Sequence, residues 1–136
     1  MKNFTIIACA SFSVFVSAHA ADKKVDTSKL PPASDKKDVT YEKDIKPLFE
    51  KSCFKCHGEE KQKGKLRLDS LAAALKGGEE GEILKKGDSA NSPIIHAVAR
   101  LDEDTAMPPE KKGTPLVVIT PEQIGLIRAW IDQGAK

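Results

Sequence analysis

Two thiols and an imidazole fall within one turn of this chain, in Cys53-Phe54-Lys55-Cys56-His57. No other feature constrains the fold as much, because whatever these three groups hold together must be enclosed by elements from elsewhere in the sequence. Their chemistry depends first on the compartment. Residues 1–20 open with Lys2, continue through an apolar run at 4–16 and close on Ala18-His19-Ala20, the small-x-small pattern that signal peptidase reads. They are read as a signal peptide cleaved after Ala20, and the mature protein is expected in the periplasm. The apolar run is shorter than the roughly 20 residues a bilayer crossing needs and is broken by Ser and Thr, so no membrane span is expected in the mature chain. Cys9 follows Ile-Ile-Ala in the manner of a lipoprotein site, but the apolar stretch ahead of it is too short to act as the hydrophobic segment. Of three cysteines, Cys9 therefore leaves with the leader, and Cys53 and Cys56 are the thiols of the mature protein.

Without the 20-residue leader the 136-residue chain keeps 116 residues, enough for one domain with a modest core. Its formal net charge of +2 for the whole chain excludes the strong basic excess of a nucleic-acid binder. Aromatic residues make up only 5% against 31% charged, so the core is built mostly from Leu, Ile, Val and Ala, or is completed by a group that is not protein.

Residues 21–38 are charged, contain two prolines and show no apolar periodicity, and are expected to form a disordered arm or linker. The domain is expected over residues 39–136. Tyr41, Ile45, Leu48 and Phe49 share a helical stripe, within which Pro47 predicts a kink or a separate last piece. After the Cys motif, Lys65-Leu66-Arg67-Leu68 alternates like a short extended segment. Asp69 or Ser70 then caps a short helix that Gly77 and Gly78 terminate. Ser92 followed by Pro93 starts another helix, with Ile94, Val98 and Leu101 on one side. Residues 101–118 form a long loop with prolines and charge. Thr120, Pro121 and Gln123 open a final helix with a capping box, its apolar face made by Ile124, Leu126, Ile127, Trp130 and Ile131, and Gly134 ends it. The pattern is all-α, without a strand signal strong enough for a sheet.

Four chemistries compete for the motif. A disulfide across so small a loop constrains the unfolded chain little and leaves His57 unexplained. A zinc site lacks a second ligand pair and would have to recruit His96. A thioredoxin-like centre expects a βαβ setting that this chain lacks. Covalent haem attachment explains each residue: two thiols add to the two vinyl groups of one haem, and the histidine that follows becomes the proximal iron ligand. The expected cofactor is one haem c. Its broad apolar surface also accounts for the scarcity of aromatic side chains.

A low-spin electron-transfer haem needs a second axial ligand, and the mature chain offers Met107 and His96. If the helix after Ser92 is buried through Ile94 and Val98, His96 projects from nearly the opposite side as a solvated residue. Met107 stands in the long loop before Pro108 and Pro109, which stiffen it. It is the preferred ligand, with an ordinary core methionine as the alternative. Thioether opposite imidazole favours Fe(II), and with both axial positions filled the expected task is one-electron transfer.

The segments "YEKDIKPLFEKSCFKCHG", "KLRLDSLAAALKGG", "GDSANSPIIHAV", "MPP" and "LIRAWIDQGA", in this order, resemble the planctomycete-type cytochrome c domain, a branch of the class I monohaem cytochromes c. The resemblance covers residues 41–135. It implies a small helical fold around one covalently attached haem c, with Cys53 and Cys56 attached, His57 proximal and Met107 distal, and an oxidoreductive role with protein redox partners in an exported setting. Lys65 departs from the family pattern, which carries a glycine pair before "LRLDS". No larger domain follows the cytochrome segment, which favours a free carrier or a small subunit. The competing functions are a haem enzyme, peroxidase or reductase, and a sensor or subunit module, each with a sixth position that opens. Secondary candidates keep two readings each: Arg67 as a propionate partner or a surface residue; Leu66, Leu68 and Trp130 as pocket wall or core. Lys51, Lys55, Lys61, Lys63 and Lys65 either steer an acidic partner or, with Glu50, Glu59 and Glu60, form a mixed solvated surface.

Overall fold

The computed structural model describes residues 25–110 and 117–136. The leader at 1–20, residues 21–24 of the arm and residues 111–116 of the long loop lie outside the described residues. Among those described there are helices and turns and no strand, with two isolated bridges, His57 to Gln62 and Gly78 to Gly81.

Pro47 shapes the first helical segment as its missing N–H requires. The carbonyl four residues earlier loses its donor, and the chain takes a wider π turn over Tyr41–Ile45, closed by the Lys46 N–H on the Tyr41 carbonyl. Helix α1 (Lys46–Ser52) then begins with Pro47 in its first turn, where no N–H is needed. A short helix α2 (Phe54–His57) follows, then α3 (Leu71–Lys76), α4 (Pro93–Val98) and α5 (Pro121–Asp132). The caps expected for α3 and α5 are present, whereas Ser92 stands at the cap position of α4 without a capping bond, its hydroxyl donating to the Asp88 carbonyl at 2.8 Å. Ser70 Oγ accepts from the Ala73 N–H at 3.3 Å ahead of α3, and Thr120 and Gln123 form the reciprocal box at the start of α5.

The core lies where the π turn and α1 meet α4 and α5. Tyr41, Phe49 and Trp130 are fully buried, with Tyr41 packed against Trp130 at 5.9 Å between ring centres and against Phe49 at 6.4 Å. Burial of each ring contributes about 1.5–3 kcal/mol by area, and each ring pair adds about 0.5–1.5 kcal/mol. Ile45, Ile95, Ile127 and Ile131 fill the space between them. The carbonyl of Lys136 accepts from both the Tyr41 N–H at 2.8 Å and the Trp130 indole at 2.9 Å, which ties the two ends of the domain together.

Residues 25–38, for which the sequence predicts a disordered arm, lie along α5 instead. The Ser34 N–H donates to the Gly125 carbonyl at 2.9 Å, Arg128 donates to the Pro31 carbonyl, and Gln133 Nε2 donates to the Lys36 carbonyl at 2.8 Å. The strap is anchored largely by its backbone, with the single side chain of Leu30 packed against the core, so hydrophobic periodicity carries no sign of it. Arg128 and Asp132, on the polar side of α5, also hold the turn before α4: Asp132 accepts from the Ser89 N–H at 2.8 Å and the Ser89 hydroxyl at 2.9 Å.

Strap and helix meet at Gly125, where an added Cβ would lie 2.7 Å from the Pro32 carbonyl oxygen. In an open helix Gly→Ala stabilises by about 1 kcal/mol. Here overpacking, at about 1–3 kcal/mol, outweighs that gain. We expect Gly125→Ala to lower the urea midpoint and to expose residues 25–38 to limited proteolysis, both read on the full mature protein. A more stable variant with an intact strap would show that the close approach is not held in solution.

Candidate functional site

The attachment motif sits where α1 stops. The Cys53 N–H still donates to the Phe49 carbonyl at 2.7 Å, and the Cys53 carbonyl in turn accepts from the N–H groups of Cys56 at 3.0 Å and His57 at 2.9 Å. This tight turn brings both sulfurs and the imidazole onto the same short helix. It stays tight because Gly58 follows. A Cβ at Gly58 would stand 2.5 Å from the Phe54 carbonyl oxygen, so the chain leaves α2 through a space that admits no side chain. The His57 carbonyl then accepts from the Leu68 N–H at 2.7 Å, and the Leu68 carbonyl accepts from the buried Tyr41 hydroxyl. The extended segment at 66–68 is thus fixed between the motif and the aromatic core.

His57 and Met107 line one cavity of about 430 Å³, within the range of small-molecule and cofactor sites. Leu66, Leu68, Ile83 and Ile94 give it an apolar wall, and Val25 reaches it from the end of the strap. His96, Glu80 and Thr105 supply polar groups. A larger open groove of about 730 Å³ beside Phe54, Lys55, Glu60 and Lys61 touches neither His57 nor Met107 and is mixed in charge.

The electrostatics separate the competing chemistries. Burial, and secondarily the neighbouring Cys56, push the Cys53 thiol up to about 12. Thiol redox centres work by a lowered thiol pKa, so Cys53 is the opposite of an activated nucleophile. Burial also holds the His57 imidazole below the usual histidine value, against weaker opposing interactions from the backbone at Leu66 and Lys63. A neutral imidazole keeps the lone pair a metal needs. Its Nδ1 is buried without a hydrogen-bond partner; buried polar atoms are nearly always satisfied, and the orphan marks a ring whose partner comes with a ligand. One imidazole and one thioether on an apolar cavity, with two thiols on the same turn as the imidazole, fit a haem c. Among the described residues no group of three or more His, Cys, Asp or Glu is arranged to hold a metal ion directly.

Other candidates fall out differently. Leu66 and Leu68 are wall residues, whereas Trp130 belongs to the core and does not reach the cavity. Arg67 is engaged by Asp69 through two bonds of 2.9 and 2.5 Å and does not line the cavity. His96 is not the solvated residue its helix position suggests: it is half-buried on the cavity wall, with Nε2 2.7 Å from the Ala90 carbonyl. α4 is short and buries Ile94, Ile95 and Val98 across a broad arc, which leaves His96 and Ala97 to face the cavity. Val25 and Ile83 were missed. Neither belongs to a periodic segment, so no local signal could have singled them out.

A helical fold that sets a Cys-x-x-Cys-His turn beside an apolar cavity is the arrangement of the c-type cytochromes. Residues 53–111 match the family model of planctomycete cytochrome C, which supports a planctomycete-type cytochrome c domain at that stretch of the chain. The match is shorter at both ends than the resemblance read from the residues. Neither a curated protein nor a solved structure matches the chain. A cytochrome c domain implies haem c and electron transfer. No helix among the described residues is long and apolar enough to cross a membrane.

Lys65, the departure from the family's glycine pair, has φ of +54°, beside Gly64 at +61°. The left-handed region costs a non-glycine residue about 1–2 kcal/mol, and glycine returns about 0.5–1 kcal/mol of that as unfolded-state entropy. Lys65→Gly is therefore expected to be neutral or to stabilise by up to about 1 kcal/mol, a rise of a few degrees in Tm by calorimetry of the holoprotein. A loss of more than about 1 kcal/mol would mean that the Lys65 side chain has a structural role of its own.

Proposed function

We propose that this chain is an exported monohaem c-type cytochrome that carries single electrons between protein redox partners. Cys53 and Cys56 hold the haem covalently, His57 is the proximal ligand and Met107 the distal one. The observation that carries the reading is that His57 and Met107, far apart in sequence, line one cavity with an aliphatic wall, while Cys53 and Cys56 stand on the turn that carries His57.

Bound haem supplies a one-electron iron couple, and imidazole with thioether is the axial pair that raises its potential relative to two histidines. The residues provide the rest. Leu66, Leu68, Ile83 and Ile94 would present an apolar surface to the bound group. The bond from the Leu68 N–H to the His57 carbonyl fixes the backbone of the proximal histidine. With both axial positions taken by protein side chains, no position remains for substrate, which is the argument for a carrier over an enzyme.

One observation favours a second reading, a haem enzyme or sensor whose sixth position opens. Met107 also lines an outer groove of about 620 Å³ with Pro109 and Glu110, so its side chain stands at a rim and not in the core. Rapid carbon monoxide binding by the reduced protein at neutral pH distinguishes this reading, since a firmly held thioether excludes it.

The mature protein is expected to begin at Ala21, to carry the mass of one haem, and to keep its colour in the protein pellet after acid–acetone extraction. Met107→Ala is expected to retain covalent haem, lose the far-red thioether-to-iron band of the ferric protein, and show a lower reduction potential, within the roughly 0.8 V over which axial ligands move haem. Spectra unchanged from wild type would remove Met107 from the iron. Extractable haem would overturn attachment through Cys53 and Cys56.

A further inference from the structure

The loop that carries Met107 cannot fix itself. Pro108 and Pro109 have no N–H, so this stretch offers carbonyls but few donors, and the donors come from the end of α4. The helix closes with the Arg100 N–H on the Ala97 carbonyl at 3.1 Å and the Leu101 N–H on the His96 carbonyl at 3.1 Å. Arg100 sits at the reversal with φ of +54°, where glycine is usual. The Ala97 carbonyl also accepts from the Met107 N–H at 2.9 Å. From the reversal, Arg100 reaches the other side of Met107: Nη1 donates to the Pro108 carbonyl at 2.8 Å and Nη2 to Glu110 Oε1 at 3.0 Å. Met107 is thus stapled to one helix end on both sides, by its own N–H and by the next carbonyl.

We propose that Arg100 is a positioning residue for the sixth haem ligand: its guanidinium holds the Pro108 carbonyl and so fixes the backbone from which Met107 meets the cavity. The proposal rests on reading Met107 as the ligand. Of the two contacts made by Arg100, the ion pair is exposed on the Glu110 side and contributes little. The charge-assisted bond to the half-buried Pro108 carbonyl is the stronger. A left-handed reversal also explains why the residue is placed there: it turns the side chain back over the loop that follows, which a continuing helix would not do.

The test is binding of exogenous imidazole to the ferric holoprotein, which competes with the thioether for iron, read by visible absorption together with the far-red band and the reduction potential. Arg100→Ala keeps the same positive-φ cost as arginine and so isolates the guanidinium. It is expected to bind imidazole on the order of ten-fold more tightly than wild type, the scale of one lost charged hydrogen bond, with a weakened far-red band and a lower potential. Glu110→Gln is expected to stay within about two-fold of wild type. Arg100→Lys, which retains one donor, falls between. Should Arg100→Ala not accumulate as holoprotein, Arg100→Leu keeps the apolar stem and carries the same expectation. Thr120→Ala, which removes the capping box of α5 and lines no part of the cavity, controls for lost stability: an equal gain in imidazole affinity there would reduce Arg100 to a merely structural residue and overturn the proposal. Wild-type affinity and an intact band in both Arg100→Ala and Arg100→Leu would also overturn it. If Met107→Ala itself leaves the far-red band in place, it is the ligand assignment that fails, so the two failures are distinguishable.

Discussion

The buried side chain of Tyr41 is the knot on which the rest of the structure depends. Its backbone N–H is taken by the last carbonyl of the chain, its ring lies between Phe49 and Trp130, and its hydroxyl donates to the Leu68 carbonyl. Leu68 in turn donates to the carbonyl of His57. One residue therefore connects the C-terminal helix, the aromatic core and the backbone of the proposed proximal ligand. Burial raises the pKa of this phenol well above the ordinary tyrosine value, which keeps the hydroxyl protonated, and so a donor, at neutral pH.

The two proposed axial residues have separate supports. His57 is held from the amino-terminal half, through α1, the tight exit at Gly58 and the Leu68 bond. Met107 is held from α4, through Ala97 and Arg100. α4 itself is used on both sides: Ile94, Ile95 and Val98 bury into the protein, while Pro93, Ile94, His96 and Ala97 contribute to the cavity wall. Such a partition makes the short helix sensitive to substitution on nearly every position, and it puts the distal loop on an element braced by the core.

How much of this was legible in the sequence follows from how local each signal is. The motif at 53–57, the caps of α3 and α5, and the break at Pro47 depend on neighbours within a few residues, and each is present in the structure. The strap, by contrast, depends on partners about a hundred residues further on, the Gly125 carbonyl that accepts its Ser34 N–H and the Arg128 and Gln133 side chains that donate to its carbonyls; a charged stretch with Pro31 and Pro32 gives no hint that partners exist elsewhere. His96 was placed on the wrong side because a short helix buries a wider arc than an ideal stripe. Lys65 illustrates a third case. The sequence showed a missing glycine but not whether the backbone had changed with it, and the structure shows that lysine keeps the left-handed conformation. Arg100 is similar, a left-handed residue with no glycine to announce it.

Scarcity of aromatic residues suggested that a haem completes the core, but the large rings turn out to be used elsewhere. Tyr41, Phe49 and Trp130 cluster among themselves, and the cavity wall is aliphatic, from Leu66, Leu68, Ile83 and Ile94. Folding and cofactor enclosure are thereby assigned to different side chains: the ring cluster needs only protein partners, while the aliphatic wall supplies a low-dielectric lining that disfavours net charge. The Glu80 carboxylate at the same cavity acts in the opposite sense, since negative charge favours a more positive iron. The two influences are unequal. An exposed carboxylate such as Glu80 is screened by water and salt within about 10 Å, whereas the aliphatic lining acts at contact and is not screened. On the proposed reading, the wall outweighs the acidic rim in setting the preference for reduced iron, and salt concentration adjusts only the smaller of the two.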